Sequence, residues 1–410
     1  MSEISGNRQY EFLKKFDYIR EAGTEAEEKA AQTILEELSS FHVEGHLEEF
    51  PIQVTNVYET KFFITEPYAK EYRASGYLFS GSTPENGIEA PFLYAENGDD
   101  ISLSAVSGKI VMVNGTVRKE MYQKLVKAGA VGFVTITGTP IDEGVDLEPT
   151  ACTLRGVKEP SIQGLSIHYK DAVEIVENGA SRALMVVLQK AETHTSRNVV
   201  ARIPGTDKAS EILTLTAHFD SVPQGPGAYD NMAGGAIILE LCRYFQEYKP
   251  RRSLEFVWFG AEEKGLLGSQ AYVKEHEAEL SRHQFNMNVD LAGQLVGGTV
   301  IGITGGEEIA PMMRLWASEI GIGIGTKTQI WGSDSNTFAY HGIPAMTLNR
   351  DGFGMHTRHD RVELLSPWSL ERSARLLGHI AEALGNIEVI PFKREVPEEL
   401  VGQLKGFFEG

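Results

Sequence analysis

At 410 residues, with 42% apolar and 23% charged positions, the chain has the composition of a folded globular protein and not of a disordered or low-complexity one. Lys and Arg number 38 against 57 Asp and Glu, a net charge of −19, and so acidic a chain lacks the basic surface that phosphate neutralisation needs, which argues against a nucleic-acid partner. Two cysteines, Cys152 and Cys242, are too few for a disulfide framework, no apolar stretch is long enough to cross a bilayer, and the polar start MSEISGNRQYEFLKK carries no secretory signal; the expectation is a cytoplasmic protein with no membrane partner.

Past the polar start, Thr24-Glu25-Ala26-Glu27 reads as a capping box that opens a single amphipathic helix, with Ala30, Ala31, Ile34, Leu35 and Leu38 on one face up to Ser39. Residues 48–63 alternate loosely, as strands do. From about 65 to 191, glycine-punctuated β-rich runs suggest a small separate unit: GKIVMVNG at 108–115, AVGFVTITG at 130–138 and ALMVVL at 183–188. A short helix over 119–130 between the first two makes a parallel pairing of those strands the expectation.

From Ser196 the alternation lengthens. Strands are expected over 211–217, 253–259, 285–291, 299–304 and 345–348, and helices over 232–248, 269–280, 307–320 and 366–384. This texture predicts an α/β fold, a doubly wound and mostly parallel sheet flanked by helices, with the β-rich segment as a small separate unit. The last stretch, EVPEELVGQLKGFFEG, reads either as a short amphipathic tail or as a partly frayed end, without an assigned role.

Polar residues follow directly on the carboxyl ends of these strands, where open α/β sheets place their ligands. LTLTA runs into His218-Phe219-Asp220, and Gly227-Ala228-Tyr229-Asp230-Asn231 comes soon after; LEFVWFG runs into Ala261-Glu262-Glu263; FNMNV runs into Asp290; the last strand leads to Met355-His356-Thr357. A site for two divalent metals needs a bridging carboxylate plus one His and one further carboxylate per ion, and imidazole with carboxylate suits zinc. Two His and three carboxylates match that count. Glu262 is then left beside the ligand Glu263 as a general base for a water, and Asp220 can accept the second ring N–H of a ligating His218. His42 and His46, in an alternating segment, read as structural, and His276 and His283, on or just after a charged helix, as surface histidines.

AHFDS at 217–221, GAYDN at 227–231, AEEKGLLGS at 261–269, NVDLAG at 288–293, GSDSNTFAYHGIPA at 332–345 and MHTRHD at 355–360 together resemble the dinuclear zinc aminopeptidases, a family whose relatives include bacterial leucyl aminopeptidase, glutamate carboxypeptidase, glutaminyl cyclase and the transferrin receptor. The resemblance covers about 190–390 and, more weakly, the opening helix. It implies a discontinuous catalytic domain over 1–60 and 193–392, a protease-associated-like domain inserted over 61–192, and a tail over 393–410. Residue by residue it implies two divalent ions, Zn2+, with Asp230 bridging, His218 and Asp290 on one ion, Glu263 and His356 on the other, and Glu262 as general base. His356 is preferred over His359 because the family's final motif, His-Thr-x-x-Asp, falls on His356, Thr357 and Asp360. A cis peptide after Asp230 is also implied. Met232-Ala233 and SDS at 333–335 depart from the family's usual residues without touching a ligand.

The implied activity is hydrolysis of peptide substrates, most simply as an aminopeptidase, since an acidic site suits a free α-amino group. The rivals are a carboxypeptidase or deacylase of the related two-zinc fold, a single-zinc glutaminyl cyclase, and a binding scaffold without activity. Neither oligomeric state nor side-chain preference is legible.

Overall fold

The computed structural model describes residues 4–409. The chain forms two compact units, one made of the residues up to Ile52 together with those from His194 on, the other of Gln53–Thr193. The strands Gly45–Glu66 and Arg182–Ile203 both run on through these boundaries, so no break in local pattern marks them in the sequence.

In the first unit four strands pair in parallel in the order Ala345–Arg350, His283–Val289, Lys208–His218, Arg252–Phe259. Helix Ala233–Glu247 supplies the crossover between the last two, and every residue of Arg252–Phe259 is buried, as befits a strand covered on both faces. The flanks are mixed: Thr299–Thr304 runs antiparallel to Ala345–Arg350 and parallel to Gly325–Thr328, and residues 199–203 run antiparallel to Arg252–Phe259. Side chains alternate between two cores along the strand. Phe256 and Trp258 join Ile237, Leu241, Phe245 and Leu377 on one face, and Val257 and Phe259 join Tyr272 and Phe338 on the other.

Three expectations are corrected here. The long helix Glu25–Ser40 is not the first: Gly6–Leu13 precedes it, capped by the Ser5 hydroxyl and anchored by buried Phe12 and Leu13, and its eight residues are too few to display a period. His283 is wholly buried, its Nδ1 2.7 Å from the Thr214 hydroxyl, and burial pushes its imidazole down to about 4; it opens a strand instead of ending a surface helix. The tail is an ordered helix, Glu398–Glu409, with Leu400 and Leu404 buried and the Phe408 ring 4.9 Å from that of Tyr340. The capping box at Thr24 forms with a shift, for Glu27 N–H donates to the Thr24 hydroxyl while the Glu27 carboxylate reaches one residue further back, to Gly23 N–H at 2.9 Å.

The second unit is likewise built on paired strands. Ile88–Tyr94, Ile110–Val113, Gly132–Thr137 and Gln163–His168 are parallel neighbours in that order, with residues 182–185 and 74–76 antiparallel at the two edges. Helix Lys119–Lys127 makes the crossover between the second and third strands. Met112, Val134 and Leu165 pack on one face, Val111, Val113 and Phe133 on the other.

Candidate metal centre

At the carboxyl ends of the four parallel strands the backbone turns sharply, and the turns carry the polar residues. Ala261, Leu291 and His356 adopt left-handed φ values of 53°, 68° and 59°; each is, or directly adjoins, a candidate site residue. A non-glycine residue in that region costs of order 1–3 kcal/mol and persists only where its surroundings hold it, a pattern typical of functional turns. Gly227 solves the same problem without a side chain: its φ is 58°, and a Cβ there would lie 2.3 Å from the Asp230 carbonyl oxygen. The Asp230–Asn231 peptide is cis.

These turns converge on Asp230. One of its carboxylate oxygens, Oδ1, lies 3.1 Å from His218 Nε2, which is also 3.6 Å from Asp290 Oδ1. The other, Oδ2, lies 3.0 Å from His356 Nε2, itself 3.2 Å from Glu263 Oε1. Two three-residue groups able to hold a metal therefore share one carboxylate, His218 with Asp230 and Asp290, and His356 with Asp230 and Glu263. His218, Glu262 and Glu263 form a third such group. Among the described residues His359 joins none of them; it lies beside Phe353 and Arg361 instead.

Asp220 is wholly buried behind this cluster. Its carboxylate lies 3.4 Å from His218 Nδ1 and accepts the backbone N–H groups of Glu262 at 3.1 Å and Glu263 at 3.3 Å, so one side chain orients the imidazole and the turn that carries both glutamates. Asp220→Asn removes the charge and half of the acceptors; metal binding is expected to weaken about 10–100-fold, measurable by competition with a chromophoric chelator.

The electrostatics test whether a metal fits. Burial opposes charge on His218, yet Glu262, Asp220, Asp230 and Asp290 outweigh it and hold the imidazole well above its usual value. Hydrogen bonds to Asp230 and Glu263 push His356 up to about 10. Burial would raise Asp230, but its bonds to the two imidazoles hold it below the usual carboxylate range. Burial drives Glu262 well above a normal glutamate, with His218 offsetting part and Asp334 and Asp290 adding to it. Four carboxylates, those of Asp230, Asp290, Glu262 and Glu263, against two imidazoles leave the donor set short of positive charge. Divalent cations would supply that charge and turn both Nε2 atoms into lone-pair donors, so the residues present fit a two-metal group.

Three supporting residues escaped a site role in the sequence. Asp360 accepts the backbone N–H groups of Tyr229 at 2.6 Å and Asp230 at 3.0 Å, aiming the shared carboxylate; its place in HTRHD was a signal, its partners were not. Asp334, in SDS, is wholly buried, and burial pushes its carboxyl up to about 7 with Asp290 and Asp220 adding to the shift. Arg20, in the turn between the two opening helices, is buried among backbone carbonyls and had no signal at all.

Known proteins share these features. Residues 198–381 match the model of peptidase family M28. Aminopeptidase YwaD of Bacillus subtilis (strain 168) is 27% identical over 377 residues, covering 87% of this chain and 79% of that protein. Carboxypeptidase Q of Mus musculus is 27% identical over 427 residues, covering 94% of this chain and 87% of that protein. Among solved structures, BSAP, a zinc aminopeptidase from Bacillus subtilis, superposes with a TM-score of 0.81 at 25% identity over 97% of this chain and 99% of that one.

Proposed function

We propose that this chain is a member of peptidase family M28, whose model residues 198–381 match, and that it is a two-zinc aminopeptidase, which removes amino-terminal residues from peptides. The observation that carries the reading is the division of the Asp230 carboxylate between His218 with Asp290 and His356 with Glu263, beside a buried Glu262. In this reading His218 and Asp290 would hold one zinc ion, Glu263 and His356 the other, and Asp230 would bridge them. When bound, the ions supply Lewis acidity, lowering the pKa of water and polarising the scissile carbonyl.

The chain's own residues do the rest. Glu262, given a high proton affinity by burial, takes the proton of the attacking water and returns it to the leaving amine. The Asp220 carboxylate, 3.4 Å from His218 Nδ1, would accept its N–H and so leave Nε2 facing Asp230 and Asp290 as the donor atom. The ring of carboxylates favours an incoming ammonium over a carboxylate, and this supports action at the amino end. The similarity to carboxypeptidase Q favours a second reading, removal of residues from the carboxyl end.

We assign the unit Gln53–Thr193 to the protease-associated type on its motif runs and the parallel pairing of Ile110–Val113 with Gly132–Thr137; among the described residues it holds no metal-type cluster. Two free cysteines, Cys152 and Cys242, support a cytoplasmic setting, and no helix among the described residues is long and apolar enough to cross a membrane.

The test is mass spectrometry of a mixed peptide library incubated with the zinc-loaded protein beside a chelator-treated sample. Ladders shortened from the amino end, and absent after chelation, are the expected result. Trimming from the carboxyl end would establish the second reading, and intact peptides despite bound zinc would overturn both.

A further inference from the structure

We propose that Arg20 is a positioning residue of the metal centre, its buried guanidinium holding the loop between His218 and Asp230 in the shape that brings these two side chains together. The proposal rests on the reading of that centre as a zinc site. Arg20 is wholly buried. Its Nε donates to the Phe219 carbonyl, Nη1 to that of Pro226, and Nη2 to that of Gly227 at 2.7 Å, so the guanidinium spans the loop from the residue after His218 to the glycine before Ala228. The main chain repeats the grip: Arg20 N–H donates to the Ser221 hydroxyl at 3.0 Å, and Ser221 N–H donates to the Arg20 carbonyl at 3.3 Å.

No carboxylate among the described residues pairs with Arg20; a buried cation resting on neutral carbonyls is costly unless its geometry is needed. Its positive charge acts at longer range on Asp220, Asp230 and Asp360, offsetting the mutual repulsion of the carboxylates. The neighbouring residues extend the pattern. Asp17 pairs with Arg361, in the segment that follows His356, and Glu21 pairs with Lys264, next to Glu263. The turn from Asp17 to Glu21 thus holds three of the loops that bear candidate ligands. A lysine at position 20 keeps the charge but not the planar fork that reaches three carbonyls at once.

The experiment compares Arg20→Lys with Arg252→Lys. Arg252 is also buried and also donates to carbonyls, those of Leu384 and Ile387, but it opens the strand whose far end leads to Glu262. Each protein is read by zinc competition against a chromophoric chelator, by the visible spectrum of its cobalt-loaded form, and by its thermal midpoint. Arg20→Lys is expected to weaken zinc binding by about tenfold or more and to shift the cobalt spectrum, and at saturating zinc to lower kcat more than it alters KM. Arg252→Lys is expected to lower the midpoint alone.

Wild-type zinc affinity and an unchanged cobalt spectrum in Arg20→Lys would overturn the proposal, as would an equal loss of affinity in Arg252→Lys at an equal midpoint. If Arg20→Lys does not fold, Ser221→Ala removes one tie and is expected to weaken zinc binding to a smaller degree; unchanged affinity there would also overturn it. A wild-type protein that binds no zinc would refute the metal reading itself, whereas zinc-binding wild type with an unaffected Arg20→Lys refutes the role of Arg20 alone.

Discussion

Glu262→Gln is expected to lower kcat by about 10²–10⁴-fold while two metal ions stay bound. Glutamine keeps the size of the side chain, and the backbone N–H of residue 262 keeps its bond to Asp220 Oδ1, so the turn that presents Glu263 is preserved. What is lost is the ability to accept a proton. Measured together, metal content and kcat separate two roles, because Glu262 also lies in a group with His218 and Glu263 that could hold an ion. A fall in kcat at full metal content identifies a base. Loss of an ion would identify a ligand, and near-normal turnover would remove Glu262 from the mechanism.

Asp230→Ala is expected to take the metal content from two ions to none, where Asp290→Ala should cost one. The reason is geometric: the two imidazoles approach different oxygens of this one carboxylate, at 3.1 and 3.0 Å, so its removal opens both groups. Lewis acidity contributes several kcal/mol to such hydrolyses, and at about 1.4 kcal/mol per tenfold the loss of activity amounts to about 10³-fold or more. Elemental analysis of the purified variant checks the stoichiometry directly. A variant that retained both ions at wild-type affinity would show that Asp230 does not bridge.

Much of the catalytic unit was legible because its signals are local. The strands Lys208–His218 and Arg252–Phe259 carry apolar-rich runs that end in an abrupt change to polar residues, as when LTLTA gives way to His218; parallel strands covered on both faces favour that pattern. The helix Gly6–Leu13 was illegible for the opposite reason, since eight residues with two apolar anchors at one end show no period. His283 misled because its neighbours in sequence, Arg282 and Gln284, are polar, while its environment comes from Thr214 on the adjacent strand.

By itself, then, the sequence determined the α/β fold and the strand ends on which the candidate ligands, two imidazoles and three carboxylates, fall, because residue type and spacing along one strand suffice for each. Only the tertiary structure decided which oxygen of Asp230 faces which histidine, that Asp220 lies against both the imidazole and the glutamate turn, and that Asp360 and Arg20 bond the backbone of the loop between His218 and Asp230. The ties made by Asp360 and Arg20, and that of Asp220 to the glutamate turn, run through backbone N–H and carbonyl groups, which every residue possesses, and between positions as distant as Arg20 and Pro226, 206 residues apart. Such partners leave no mark on composition or period, and are set only when the strands come together.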